Sequence, residues 1–415
     1  MSEHATLRPR STTTSDTPAP DPAVAGLAVR TDRLAASAVG TVLRLSDAPG
    51  MTALAAGSPA PETFPAAEVA QAVGRILSRP DALQYGDTEG LWPLREWIAD
   101  DLSRLLGRPV APAATVLAHG SQQALDLVCK AILDPGDVVV VDRPSYVGAL
   151  QVFRLFEADV VAVPLAADEG LTALESALRE GLRPKMLYVV PNFANPTGLS
   201  LSAGQRERLV VLASRYGFLL VEDDPYAELA YDRTGPALPS LAALSPEAVR
   251  IGSFSKTLFP AARLGHLTAP PPLTVVLNKI KQAADLGNST FLERIVHELV
   301  RPPGALAERL AATKEVYRGR RDILVGSLRD ALGGRLRFAV PDGGFFLWAR
   351  LTDGSSATAL LPEALRENVS FVPGRTFFAQ DPDDSTLRLS FSCAVPDQMA
   401  TAGPRLARAL ERIPR

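Results

Sequence analysis

The sequence has little cysteine and little histidine, which argues against stabilisation by disulfide bonds or by a bound metal ion. Cys129 and Cys393 are the only cysteines among 415 residues, so a disulfide framework is excluded and a reducing compartment is indicated. The four histidines stand far apart, at positions 4, 119, 266 and 297. Because no ligands cluster at a spacing typical of a metal site, we expect no metal ion.

The chain also lacks an excess of basic residues and any long apolar run. Its 43 basic and 46 acidic residues give a net charge of −3, whereas a nucleic-acid-binding protein needs a basic face. No apolar stretch approaches the ~20 residues that span a bilayer. The first residues are rich in Ser, Thr and Pro and contain no apolar signal core. We therefore expect a cytoplasmic protein with neither nucleic-acid nor membrane partners.

Short apolar runs that alternate with helical stretches are what the sequence does contain. The runs are Thr115–Ala118, Asp137–Val141, Val160–Pro164, Met186–Val190 and Phe218–Val221. Such alternation predicts a mostly parallel sheet covered by helices on both faces. In sheets of this kind ligands bind beyond the carboxyl ends of the strands. Polar side chains follow the predicted strands at Ser121, Tyr146, Asn195, Asp223 and Lys256.

The stretch Ser253-Phe254-Ser255-Lys256-Thr257 follows another apolar run, Val249–Gly252. A lysine just past a buried strand loses hydration, and its pKa falls toward the nucleophilic neutral form. Ser253, Ser255 and Arg263 are donors suited to a phosphate. Together they indicate a pyridoxal phosphate Schiff base at Lys256, although a solvated lysine at a strand end is an open alternative for this motif alone.

Two further motifs identify a family. Asn195-Pro196-Thr197-Gly198 follows the run Met186–Val190, and Asp223-Asp224-Pro225-Tyr226 closes the next run. In combination with the Lys256 motif, the chain resembles the class I/II aminotransferases of pyridoxal phosphate fold type I. It looks closest to the branch of the kynurenine and 2-aminoadipate aminotransferases. The resemblance covers about residues 45 to 400 without a large gap.

The resemblance implies the architecture and the cofactor, which is pyridoxal 5'-phosphate. We expect an α/β fold with a mostly parallel sheet covered by helices, plus a smaller α+β domain. Residues 1–30 would form a disordered tail, and 31–65 an N-terminal arm that packs with the small domain. The large cofactor-binding domain would span 66–302 and the small C-terminal domain 303–415. In the arm, the apolar pattern favours a helix from Thr31 to Ser46.

The family's roles can be carried onto matching positions. Lys256 would be the Schiff-base lysine and the proton-transfer base, and Asp223 would keep the ring nitrogen protonated. Asp224 competes for that role, but the family spaces its aspartate three residues before the tyrosine, which selects Asp223 with Tyr226. Asn195 and Tyr226 would hydrogen-bond the phenolic oxygen. Tyr146 would stack on the pyridine ring, unless it is an ordinary core tyrosine.

A second set of residues would hold the phosphate. Gly120 opens a helix whose first-turn amides form an anion site, although Ser121 alone also reads as a helix N-cap. In the family, the tyrosine that corresponds to Tyr85 reaches the cofactor of the neighbouring subunit, which implies a homodimer with shared active sites. The expected phosphate ligands are Ser121, Gln122, Ser253, Ser255, Arg263 and Tyr85 of the partner subunit.

The resemblance also implies the substrate contacts and the reaction. Arg388 would grip the substrate's α-carboxylate with its planar fork, with a surface salt bridge as the alternative. Asn195 would border the substrate, as would Gly57 unless its loop is a plain turn. The expected activity is a pyridoxal-phosphate-dependent aminotransferase that moves an amino group between an L-amino acid and a 2-oxo acid by a ping-pong mechanism.

Other functions fit the same motifs. A pyridoxal-phosphate-dependent decarboxylase or oxidase would use the same constellation. A non-catalytic ligand sensor is also known among aminotransferase-like domains, but the residues before the first helix are too few for a helix-turn-helix module. The substrate's side chain is not readable from the sequence. A distal carboxylate on the substrate's side chain could be bound by Arg30, Arg33 or Arg44. These arginines could also simply be solvated.

Overall fold

The computed structural model describes residues 26–33, 40, 42, 48–232 and 237–413. The strands are β1 (Thr52–Ala53), β2 (Thr115–Ala118), β3 (Val138–Asp142), β4 (Asp159–Val163), β5 (Met186–Val189), β6 (Leu219–Asp223), β7 (Val249–Ser253), β8 (Gly265–Thr268), β9 (Leu336–Phe338), β10 (Phe346–Leu351), β11 (Val369–Ser370), β12 (Val372–Pro373) and β13 (Thr386–Ser390). The α-helices are α1 (Ala66–Leu77), α2 (Trp92–Leu106), α3 (Gly120–Ile132), α4 (Val147–Leu155), α5 (Asp168–Arg179), α6 (Ala203–Tyr216), α7 (Leu241–Leu244), α8 (Pro271–Asp285), α9 (Thr290–Val300), α10 (Ala305–Leu332), α11 (Ala357–Arg366) and α12 (Pro396–Leu410).

The largest sheet has seven strands in the order β2-β8-β7-β6-β5-β3-β4. Its strands run parallel except β8, which is antiparallel to both of its neighbours. The two faces of this sheet pack against different hydrophobic cores. Val139 and Val141 of β3 belong to the core on one face, and Val140 belongs to the core on the other. Apolar residues therefore run continuously along the strands, as in a sheet with two covered faces. The predicted mostly parallel, helix-covered sheet is confirmed.

A second, antiparallel sheet has the order β12-β13-β10-β9 and belongs to the C-terminal part of the chain. Every residue of β13 is buried, including Arg388, which lies opposite Trp348 of β10 and Val372 of β12. The short strand β1 pairs in parallel with β11, through Thr52 opposite Val369. This pairing attaches the segment before α1 to the C-terminal part.

Local sequence explains several element boundaries. Helix α6 begins at a capping box in which Ser202 accepts from the Gln205 amide and Gln205 accepts from the Ser202 amide. It ends at Gly217, whose left-handed conformation (φ 74°) suits glycine. Sequence reasoning did not identify β8, α8 or α9. One cause is the run of prolines at the start of α8, which reads as a loop although proline is well tolerated in the first helical turn.

The predicted arm helix from Thr31 to Ser46 lies mostly outside the described residues, as do most of the expected tail and Arg44. The 3₁₀ helix Val29–Arg33 overlaps the start of the predicted helix. Within the described parts of the chain, no helix is both long enough and apolar enough to cross a membrane.

The packing of α12 on α10 generates a stability prediction. A side chain at Gly403 of α12 would collide with the backbone carbonyl of Ser327 in α10. Gly403→Ala should therefore lower the free energy of unfolding by about 1–3 kcal/mol, because neither backbone can move away easily. Gly319→Ala is the matched control, since Gly319 lies in α10 with open space around it. The control should raise stability by about 0.5–1 kcal/mol through helix propensity. Urea unfolding measures both, and equal effects of the two variants would contradict the packing.

Candidate active site

A cavity of about 580 Å³ lies beyond the carboxyl ends of the parallel strands. It gathers residues from β13, from the loop that follows β1, and from the loops that follow β2, β3, β5, β6 and β7. The sequence-predicted residues that line it are Gly57, Ser121, Gln122, Tyr146, Asn195, Asp223, Tyr226, Ser253, Ser255, Lys256, Arg263 and Arg388. The structure thus brings together residues that are more than 300 positions apart in the sequence.

Lys256 projects into this cavity from the loop that follows β7. Its Nζ donates a hydrogen bond to the backbone carbonyl of Gly57 at 3.0 Å. The side chain is open to the cavity, but protein surrounds it on its other sides. This desolvation, followed by the charges of Arg388 and Arg263, lowers the pKa of Lys256 to about 8. A substantial fraction of the amine is therefore neutral, and nucleophilic, near physiological pH.

Asp223 is buried at the end of β6 with one carboxylate oxygen engaged. Its Oδ2 accepts a hydrogen bond from the Tyr188 hydroxyl at 2.7 Å, whereas its Oδ1 has no hydrogen-bond partner among the described residues. Burial raises the pKa of Asp223 to about 6, against the opposing effect of the Tyr188 hydrogen bond. An unpaired buried carboxylate oxygen is costly, so its position at the cavity marks a place for a donor from a ligand.

The adjacent Asp224 is turned away from the cavity. Its Oδ2 accepts from Asn192 Nδ2 at 3.0 Å and from Arg250 Nη1 at 3.2 Å. Its Oδ1 accepts from the Ala227 amide at 3.1 Å. Alternation along the strand puts neighbouring side chains on opposite faces of the sheet. Asp224 is therefore saturated by partners from the protein, whereas Asp223 is available to a ligand.

Arg388 reaches the cavity from β13 and is buried between two aromatic rings. Its guanidinium carbon lies 4.4 Å from the ring centroid of Phe346 and 4.9 Å from that of Phe377. Nη1 donates to Asn195 Oδ1 at 2.8 Å and Nη2 donates to the Ala55 carbonyl at 2.6 Å. Burial lowers the pKa of Arg388 to about 10. The group stays charged at neutral pH, and its Nε has no partner in the described part of the chain.

The start of α3 and Arg263 meet at the other end of the cavity. Gly120 opens the helix with φ 77°, and a Cβ at this position would lie 3.2 Å from Arg263 Nη2. Arg263 Nη2 also donates to the His119 carbonyl at 3.3 Å. Ser121, Ser253 and Ser255, which carry hydroxyls, line the same cavity. A helix N-terminus beside an arginine and several hydroxyls is suited to a bound anion.

Tyr146 and Gln122 form a unit on one wall of the cavity. The Tyr146 hydroxyl donates to Gln122 Oε1 at 3.3 Å, and Gln122 Nε2 donates to the Gly148 carbonyl at 2.9 Å. The side chain of Gln122 is therefore committed to holding Tyr146. Any contact of Gln122 with a phosphate falls to its backbone amide, one of the free amides of the first helical turn.

Sequence reasoning missed several residues that support the site. Phe346 and Phe377 enclose Arg388, Phe345 packs edge-on against Tyr226 with ring centroids 5.6 Å apart, and Tyr188 holds Asp223. The aromatic residues resemble ordinary core residues in apolar strands. The one available signal was the hydroxyl of Tyr188, because a tyrosine inside a fully buried strand needs a hydrogen-bond partner.

Tyr85 is the one predicted site residue that the single chain does not bring to the cavity. It is 89% exposed and lies in a loop beside Leu286. A hydrogen bond from Thr88 Oγ1 to the Leu286 carbonyl, at 3.0 Å, links the loop that contains Tyr85 to the loop that contains Leu286.

Comparison with known proteins agrees with this geometry. A family model described as aminotransferase class I and II matches residues 49–405. A 2-aminoadipate transaminase of Thermus thermophilus is 40% identical over 388 residues, which cover 91% of this chain and 95% of the relative. Aromatic-amino-acid aminotransferase 1 of Thermococcus litoralis is 34% identical over 386 residues, covering 91% and 92%. The crystal structure of an α-aminoadipate aminotransferase from Thermus thermophilus, complexed with N-(5'-phosphopyridoxyl)-L-leucine, has a TM-score of 0.85 at 39% identity and covers 93% of this chain and 97% of the other.

Proposed function

The chain belongs to the class I and II aminotransferases, which use pyridoxal phosphate, and we propose that its reaction takes place at the cavity around Lys256. In this proposal an L-amino acid gives up its amino group in a first half-reaction and a 2-oxo acid receives it in a second, which is a ping-pong mechanism. One observation carries the assignment of the site. Lys256, with its lowered pKa, lines the same cavity as Asp223, whose Oδ1 is buried without a partner among the described residues.

The residues of the cavity fit pyridoxal phosphate. The anion-binding end formed by α3 and Arg263 suits the phosphate, and the free Oδ1 of Asp223 suits a protonated ring nitrogen. Lys256 supplies an amine whose desolvation favours attack on an aldehyde. The three chemical parts of the cofactor thus each find a matching group in this chain.

When bound, pyridoxal phosphate supplies an aldehyde that takes up an amino group and a ring that withdraws electrons from the substrate's Cα. In our proposal, Lys256 is the attachment point for the aldehyde and, once displaced by the substrate, the base that removes the proton from Cα. The lowered pKa of Lys256 suits this second role, because a neutral amine is needed to accept a proton. Lys256 would then be the group that carries this proton toward the cofactor's C4′ carbon.

Asp223, Asn195 and Tyr226 are assigned to the cofactor ring. Asp223 would keep the ring nitrogen protonated through its free Oδ1, which increases the electron withdrawal that labilises the Cα proton. Tyr226 is buried and lines the cavity, as Asn195 does, so both are available to the ring's phenolic oxygen. The packing of Tyr226 against Phe345 and Phe346 holds its ring in place.

Arg388 is assigned to the substrate's α-carboxylate. Within the protein, its Nη1 and Nη2 donate to Asn195 Oδ1 and to the Ala55 carbonyl, both neutral acceptors. A carboxylate is a stronger, charged acceptor and can accept two parallel hydrogen bonds from the guanidinium. The two flanking rings fix the plane of the fork, and this orients the Cα bonds of the substrate relative to the cofactor.

The first test is a screen of amino donors with 2-oxoglutarate as the acceptor, together with borohydride reduction of the loaded protein. Reduction should attach the cofactor at Lys256, and Lys256→Ala should abolish both the attachment and the donor-dependent formation of glutamate. Lys130→Ala removes a lysine from α3 outside the cavity and should change neither result. Peptide mapping that finds the label on a different lysine would rule out the proposed site.

A second prediction concerns Arg388→Lys. Lysine keeps the charge but loses the bidentate fork and the stacking between Phe346 and Phe377. The loss should be about 2–5 kcal/mol, or roughly 30- to several thousand-fold in kcat/KM. Because donor and acceptor present the same carboxylate, both half-reactions should suffer equally in single-turnover measurements. Failure with only one of the two substrates would show that Arg388 contacts a substrate side chain instead.

We also propose a homodimer in which Tyr85 serves the partner's cofactor. Tyr85, Leu83 and Leu286 are large side chains that are 89%, 76% and 64% exposed, an unusual concentration of apolar surface on a monomer. A second copy of the chain would cover it.

Sedimentation should accordingly detect a dimer down to nanomolar concentrations. Tyr85→Phe should speed cofactor loss in dialysis without lowering the melting temperature of the cofactor-free protein. Tyr216→Phe, at the end of α6, is the matched control and should retain the cofactor normally. A fully active monomer would refute the shared site.

A further inference from the structure

Tyr188 occupies a special position beneath Asp223. It lies in β5 directly opposite Val221 of β6, and Asp223 follows Val221 by two residues on the same face of the sheet. The Tyr188 hydroxyl therefore meets the Asp223 carboxylate diagonally across the two strands, at 2.7 Å from Oδ2. Both side chains are buried, with exposures of 0% for Tyr188 and 4% for Asp223.

The ring of Tyr188 is fixed independently of this hydrogen bond. It packs edge-on against Phe153 of α4, with the ring centroids 5.6 Å apart and the planes at 71°. The ring also belongs to the apolar core on that face of the sheet. Its hydroxyl therefore has a set position, and it donates in a single direction, toward Oδ2. Oδ1 is left as the one oxygen of Asp223 that can accept a hydrogen bond from a ligand.

We propose that Tyr188 is a positioning residue for the transamination reaction. By donating to Oδ2, it orients the Asp223 carboxylate, keeps it ionised and reserves Oδ1 for the ring nitrogen of the cofactor. The inference rests on the proposed function in one respect, the role of Asp223 toward that nitrogen. The hydrogen bond itself and its effect on the Asp223 carboxylate do not depend on a cofactor.

The electrostatic need for such a donor follows from what surrounds Asp223. Burial disfavours its charged form, and so does the neighbouring charge of Asp224. Arg250 of β7 acts in the opposite direction, but its guanidinium is bonded to Asp224 on the other side of the strand. Tyr146 and Tyr226 also face Asp223, as neutral phenols, and Lys256 lines the same cavity. Tyr188 is thus the direct hydrogen-bond donor that stabilises the Asp223 carboxylate from within the described structure.

The test measures the titration of Asp223 in the full-length, cofactor-free protein by infrared difference spectroscopy. The carbonyl stretch of the protonated carboxylic acid is followed as the pH is lowered, and Asp223→Asn identifies the band. Tyr188→Phe keeps the ring and removes the donor. Since a hydrogen bond to a charged group favours the charged form, the midpoint should rise by about one pH unit or more.

Two further variants separate the hydrogen bond from packing. Tyr231→Phe is the matched control, because Tyr231 is another buried tyrosine whose hydroxyl donates to a carbonyl, that of Gly344. It should leave the Asp223 midpoint unchanged. Replacement of Tyr188 by 3-fluorotyrosine strengthens the donor at nearly constant shape and should lower the midpoint. This variant decides the question alone if Tyr188→Phe does not fold.

The loaded enzyme gives a second readout that is independent of turnover. With pyridoxal phosphate labelled with ¹⁵N in the ring, the nitrogen chemical shift reports the protonated fraction, which should fall in Tyr188→Phe. Unchanged midpoints in both Tyr188 variants, or shifts in the same direction in both, would overturn the proposal. If the infrared shifts are as expected but the protein transaminates no amino donor, the proposed function is overturned. The Tyr188–Asp223 interaction then still stands.

Discussion

Burial of charge at the carboxyl edge of the sheet is the constraint on which this structure depends. Asp223 and Lys256 are both shifted toward their neutral forms, with pKa values of about 6 and about 8, because protein replaces much of their hydration. Within the described residues neither is paired with an opposite charge, and Asp223 Oδ1 has no partner there. A fold accepts such groups only when the rest of the structure over-determines their positions. The cost is offset when a ligand of complementary charge enters.

On the opposite face of the same strands, buried charged groups are paired with each other. Arg250 lies 3.2 Å from Asp224 and 3.8 Å from Glu222, and Asp224 is further saturated by Asn192. Arg250 offsets the charge of Asp224, and both carboxylate oxygens of Asp224 accept hydrogen bonds from the protein, so this carboxylate needs no donor from a ligand. The contrast between the two faces of β6 distinguishes a site for a ligand from a structural ion cluster. Burial alone does not, because the charged groups on both faces are buried.

The family, the fold class and most of the residues of the cavity could be predicted from the sequence, for a physical reason. Parallel strands end at one edge of the sheet, so polar residues that follow the strands converge even though they are far apart in the chain. The supporting aromatic residues could not be predicted in this way. Phe346 and Phe377 are apolar residues in apolar surroundings, and their role depends on which guanidinium they enclose. The bond from Arg388 to the Ala55 carbonyl joins residues 333 positions apart, and local sequence carries no signal for it.

The pairing register between β6 and β7 fixes the positions of both Asp223 and Lys256. Glu222 lies opposite Arg250 and Asp223 lies opposite Ile251, and Lys256 follows β7 by three residues. A slip of one residue would turn every side chain of β6 to the other face and exchange Asp223 for Asp224 in the cavity. The same slip would separate Glu222 from Arg250 and bury their charges unpaired, at a cost of several kcal/mol. The ion cluster on the far face thus opposes the slip that would misplace the carboxylate on the near face. The geometry of the cavity and the structural charge pairing are two consequences of one strand pairing.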